Sequence, residues 1–156
     1  MPQWLIALLT GLIPSLIVGV CTAIITVRLS LRRFHAERWW ERKAEAYSRI
    51  VEALHNAMEY CSAMSDESLT GVEVNDDRKK QLDEAYDGAA RELRKATGVG
   101  AYIISDEVAA VLAKLQSRPR LDWQNTARFE YYDHEYEGYK RALGDIRRLA
   151  KRDLGV

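Results

Sequence analysis

The run WLIALLTGLIPSLIVGVCTAIITV, from Trp4 to Val27, contains no ionisable side chain. At about 1.5 Å per residue it would extend roughly 36 Å as a helix, enough to cross the hydrocarbon core of a bilayer with some tilt. Hydropathy therefore predicts one N-terminal transmembrane helix over residues 4–27. Met1, Pro2 and Gln3 supply no basic side chain for a signal peptide, and Val20 stands before Cys21 where a lipoprotein site wants a small residue. Arg28, Arg32 and Arg33 follow the run and no basic side chain precedes it. The positive-inside rule then predicts a single-pass protein of the bacterial inner (plasma) membrane, amino terminus outside, with the three arginines against lipid headgroups and the remainder in the cytoplasm. In that compartment Cys21 and Cys61 are expected as free thiols.

Ala7, Gly11, Ser15, Gly19 and Ala23 recur at every fourth position of the run and would lay a strip of small side chains along one helix face. Such strips let helix backbones approach closely in lipid, so the pattern predicts packing against another span and a homo-oligomer. Pro14 removes one backbone hydrogen bond and predicts a kink.

No Gly or Pro occurs between residues 20 and 70, so the first cytoplasmic helix is expected to continue from the span. Residues 28–43 form its basic juxtamembrane part, with six basic and two acidic side chains. A helical bundle is expected over residues 44–156. Trp40, Ala44, Tyr47, Val51, Leu54, Met58 and Cys61 alternate by four and three, the seam of packed helices, with Trp39, Ala46, Ile50, Ala53 and Ala57 widening it. The helix should end near Met64, before the polar connector Ser65 to Asp77. A second helix is predicted from Asn75 to Thr97 with Leu82, Tyr86, Ala89 or Ala90, and Leu93 inward and Gly98 as terminator. Gly98 to Ile104 reads as strand-like or buried loop. Ser105 is the expected N-cap of a third helix that buries Val108, Val111, Leu112 and Leu115 and stops before Pro119. A fourth should run from about Asp122 to Asp153, with Phe129, Tyr132, Tyr136, Tyr139, Leu143, Ile146 and Ala150 inward. The fold class is thus all-α, a transmembrane helix continuous with an antiparallel bundle of about four helices.

The 23 basic and 23 acidic residues cancel, which argues against a binder of duplex nucleic acid. The charges are nevertheless sorted along the chain. Asp122 to Gly138 holds five acids and one base, whereas Tyr139 to Val156 holds six bases and two acids. Antiparallel pairing of two copies, or docking of the basic tail on acidic residues 66–87, would use that polarity, and the tail also suits the dipole of its own helix. Arg118, Arg120 and Trp123 combine cations with an aromatic surface, the chemistry a small anionic ligand such as a cyclic oligonucleotide would use. Catalytic chemistry has no comparable pattern. Glu52-Ala-Leu-His55 is a lone ligand pair without the second that a di-iron bundle needs, and the acidic group Glu130, Asp133, His134, Glu135 and Glu137 reads as a solvated face. No metal, cofactor or enzymatic activity is therefore expected.

The segment ERWWERKAEAYSRIVEALH, Glu37 to His55, resembles a passage that recurs in small bacterial single-span membrane proteins. In architecture the chain is similar to membrane effectors of antiviral systems, including type III CRISPR ancillary proteins that sense cyclic oligoadenylate. The resemblance implies a non-enzymatic signalling effector; the alternative is a constitutive structural or adaptor subunit of a bacterial membrane complex.

Overall fold

A computed structural model describes residues 3–98 and 102–156, with side chains at positions 22, 23, 26–28, 34, 37–98 and 102–156. The described residues are all-helical: α1 spans Gln3–Thr70, α2 Asp76–Thr97, α3 Asp106–Ser117 and α4 Arg128–Leu154. The chain divides into two compact units, Met1–Glu41 and Arg42–Val156.

The first unit corrects the membrane expectation. Among the described residues no helix is long and apolar enough to cross a membrane. From Arg28 onward the described side chains of α1 include Glu37, Arg38, Glu41, Arg42 and Lys43, so that stretch holds no run of about 20 apolar residues such as a span requires. The expectation of a single-pass inner-membrane protein built around residues 4–27 is thereby overturned. Ala7, Gly11, Ser15, Gly19, Pro14, Arg32 and Arg33 lie outside the described side chains, while Ala23 and Arg28 are exposed. Trp39 and Trp40, expected in a core or interface, stand about half exposed at 48% and 47%.

The second unit holds the core. Along α1 the buried face is Tyr47, Ile50, Ala53, Leu54, Ala57, Cys61 and Met64, with Val51 and Met58 only partly covered. The apolar stripe is thus turned toward the residues expected to flank the seam. The helix passes Met64 and ends at Gly71, whose φ of 67° takes the left-handed conformation that glycine adopts without strain. The polar connector is mostly helix because Glu67 serves both sides of the turn, accepting from the Val74 amide at 3.2 Å and pairing with Lys79.

Local signals set the next two helices. The Asn75 side chain accepts the Asp77 amide at 2.9 Å and so caps α2, which buries Leu82, Ala89, Leu93 and Ala96 before ending at Gly98. Helix α3 buries Val108, Leu112 and Leu115 and stops one residue before the Arg118–Pro119 step. Ser105 makes no side-chain cap bond; its amide donates instead to the Tyr47 hydroxyl at 3.2 Å, and that hydroxyl donates to Asp153 Oδ2 at 2.5 Å. One buried tyrosine thereby ties α1 to the start of α3 and the end of α4.

Helix α4 begins at Arg128, later than the expected Asp122. The Asp122 carboxylate accepts from the Gln124 amide and the Asn125 side chain, closing a turn that holds this stretch out of the helix. Tyr132, Tyr139, Leu143, Ile146 and Ala150 face inward as expected, whereas Phe129 is 37% exposed. Helices α1 and α4 run antiparallel, with Tyr47 at Asp153, His55 beside Arg147, and Tyr60 edge-on to Tyr132.

Candidate functional site

Where α3 ends against α4, the core contains a charge. Arg118 precedes Pro119, which favours the extended backbone it adopts, φ −61° and ψ 146°. The side chain folds back on its own helix, and Nη1 donates to the Leu115 carbonyl at 2.8 Å. Nη2 donates to Glu135 Oε2 at 2.6 Å. The side chains are 16% and 3% exposed, so this is a buried ion pair whose disruption would strand a carboxylate. The guanidinium also lies 4.8 Å from the Tyr139 ring centroid.

Gly138 makes this packing possible. A Cβ built there would stand 2.8 Å from Arg118 Nε and 2.9 Å from Cζ. The glycine sits inside α4 because the guanidinium occupies the space a side chain would take. An aromatic network links α1, α2 and α4: Tyr60 stacks on Tyr86 at 4.4 Å, Tyr86 and Tyr139 join hydroxyls at 3.3 Å, and Trp123 packs edge-on to Tyr131 and Tyr132. Burial, then the hydrogen bond with Tyr139, pushes the Tyr86 hydroxyl upward. The Cys61 thiol is pushed up to about 12, first by burial and then by the Glu135 charge, with Arg118 opposing. A thiol held protonated to that degree is not a nucleophile at neutral pH. Glu135 Oε1 and His134 Nδ1, 4.0 Å apart, have no hydrogen-bond partner among the described residues.

Beside the pair, α3 and α4 open into a cleft of about 210 Å³. Val111, Leu115 and Ala142 give it apolar walls, and Lys114, Arg118, Arg141 and Asp145 supply charge. Arg118 is neutralised by Glu135. Asp145 pairs with Arg148 at 2.7 Å, and Arg141 Nε donates to the Glu137 carbonyl at 3.1 Å. Lys114 enters no ion pair among the described residues. The cleft thus presents a cationic rim over an apolar floor, suited to an anion carrying a flat or apolar body.

Of the sequence-nominated ligand residues, only Arg118 lines this cleft. Arg120 is exposed and Trp123, 47% exposed, packs on Tyr131 and Tyr132 with Arg128 over its ring. Lys114 and Arg141 complete the cationic lining of the cleft. Lys114 lies one helical turn before Arg118, but Arg141 joins them only through the packing of two helices. Glu52 and His55 are exposed, with His55 Nε2 2.7 Å from Arg147. Among the described residues no ion pair joins the basic tail to acidic residues 66–87; Arg152 pairs with Glu107 at 3.1 Å. Compared with protein families, curated proteins and solved structures, the chain has no match.

Proposed function

We propose that the bundle Arg42–Val156 is a non-enzymatic sensor of a small anionic ligand, bound in the cleft between α3 and α4, with a cyclic nucleotide messenger as the leading class. The observation that carries the reading is the lining: three cations and one acid around apolar walls, with the acid already engaged by Arg148. A volume of about 210 Å³ is small beside the roughly 300–1,000 Å³ of drug-sized sites, so the cleft would take one phosphate-bearing unit and leave the rest of a larger messenger outside. A cyclic nucleotide joins a phosphate to a flat base, which makes that class the first to try. The buried groups fit a sensor better than an enzyme, since Cys61 is held protonated and Glu135 is tied to Arg118.

The test is a thermal-shift titration of the full chain with cyclic oligoadenylate, cyclic mononucleotides and inorganic phosphate, repeated on Lys114→Glu/Arg141→Glu. A ligand present at about 100 times its Kd should stabilise the wild type by about 2.7 kcal/mol, and charge reversal should abolish the shift. Absence of a shift with every compound at millimolar concentration would remove the proposal and favour an adaptor subunit, to which charge in this cleft is indifferent.

A further inference from the structure

The outward face of α4 carries Glu130, Asp133 and Glu137 in its first half, and Arg148 and Lys151 in its second. At 100° per residue these positions share one side of the helix, opposite the buried Tyr139, Leu143 and Ile146. Gly144 lies on the same side, exposed, and nothing stands within 4 Å of a Cβ built there. A helix-interior glycine costs about 1 kcal/mol relative to alanine. Gly138 has a reason within the fold, the guanidinium of Arg118; Gly144 has none.

From these two observations we infer that a second copy of this chain docks on the outer face of α4, antiparallel to the first. Antiparallel alignment puts Glu130 and Asp133 of each copy opposite Lys151 and Arg148 of the other, and in that register Gly144 faces Glu137 and leaves room for its side chain. Parallel alignment would set acid on acid and base on base. The existing partners on this face are weak competitors, because Glu137–Lys140 and Asp145–Arg148 are exposed pairs within one turn, worth about 0–1 kcal/mol each. An interface of this composition is held by charge, so it should weaken as salt screens it. The inference rests on the outer face of α4 and meets the cleft at one residue, Arg148, which also holds Asp145.

Sedimentation of the full chain tests it with two charge-reversed variants, Glu130→Lys/Asp133→Lys and Arg148→Glu/Lys151→Glu. One has a mainly basic outer face, with Glu137 its remaining acid, and the other a mainly acidic one. The wild type should be dimeric at low salt, with Kd rising at least about tenfold between 50 mM and 500 mM as the Debye length shortens. Each variant alone should be monomeric under the same conditions, and an equimolar mixture should form a 1:1 heterodimer. Restoration on mixing also shows that both variants are folded. A wild type that stays monomeric at low salt, or variants that separately retain its mass, would overturn the inference.

Discussion

Two glycines in α4 should respond to the same substitution with opposite sign. In Gly138→Ala the new methyl group would sit 2.8 Å from Arg118 Nε and 2.9 Å from Cζ, so the guanidinium must move. It is held by Glu135, by the Leu115 carbonyl and by the Tyr139 ring, and moving it leaves a carboxylate that is 3% exposed without its partner. Breaking a buried pair costs about 3–5 kcal/mol. Alanine returns about 1 kcal/mol of helix propensity, leaving a net loss of about 2–4 kcal/mol and a fall in Tm on the order of 10 °C for a domain of this size. Gly144→Ala meets open space and should stabilise the monomer by about 0.5–1 kcal/mol. The decisive assay is a double-mutant cycle by chemical denaturation. In an Arg118→Ala background the clash disappears, and Gly138→Ala should become stabilising by about 1 kcal/mol, a coupling of about 3–5 kcal/mol. If Gly138→Ala is neutral or stabilising in the wild-type background, the guanidinium is not pinned and the account of this site is wrong.

Tyr47→Phe removes the hydroxyl that links Ser105 and Asp153 and should cost about 1–2 kcal/mol near neutral pH, measured by urea denaturation. Hydrogen bonds from Ser105 and then Tyr47 hold the Asp153 carboxyl below its usual range. Their stabilisation is present above the ordinary aspartate pKa of about 4 and fades as pH falls through the folded value, so the gap between wild type and Tyr47→Phe should narrow in acid; a gap that widens there refutes the assignment. In a Cys21→Ser background, Cys61 should resist a thiol reagent at pH 8 in the native state and react fully in denaturant, since burial and Glu135 push the thiol up to about 12. Rapid native labelling without unfolding would contradict that burial.

What the sequence made legible was what depends on near neighbours. Asn75, Gly98 and Pro119 act within a turn of their own position, and they bound α2 and α3 where expected. Asp122 belongs to the same vocabulary but speaks for two structures, a helix N-terminus or an Asx turn, and the bond from the Gln124 amide selects the turn. Longer-range facts were less accessible. Glu135 sits among acids that read as a solvated face, and its burial depends on a guanidinium 17 residues earlier. The inward stripe of α1 lies nearly one position from the heptad seam, because the small Ala53 and Ala57 are buried where the larger Val51 and Met58 are only partly covered. The apolar run at residues 4–27 gave a hydropathy argument for a span, yet no described helix meets the length and apolarity that a membrane demands.

The same distinction decides which side chains should govern binding in the cleft. Arg118 has the right residue type, but Glu135 already accepts from it at 2.6 Å, so an incoming anion would have to compete with a partner that cannot retreat into water. Asp145 is engaged by Arg148 at the rim. The attraction available to a ligand therefore comes mainly from Lys114 and Arg141, and each should contribute to affinity without contributing much to the fold, because neither enters an ion pair among the described residues. Arg118→Ala should behave in the reverse manner and lower stability before it lowers affinity per folded molecule. Arg120→Ala should change neither, since Arg120 is exposed and outside the lining. Titrations corrected for the folded fraction separate the cases: an affinity that falls at least about tenfold, 1.4 kcal/mol, in Lys114→Ala or Arg141→Ala and stays level in Arg120→Ala places the anion between α3 and α4. The opposite ranking would place it at the loop before α4, where Trp123 and Arg128 meet.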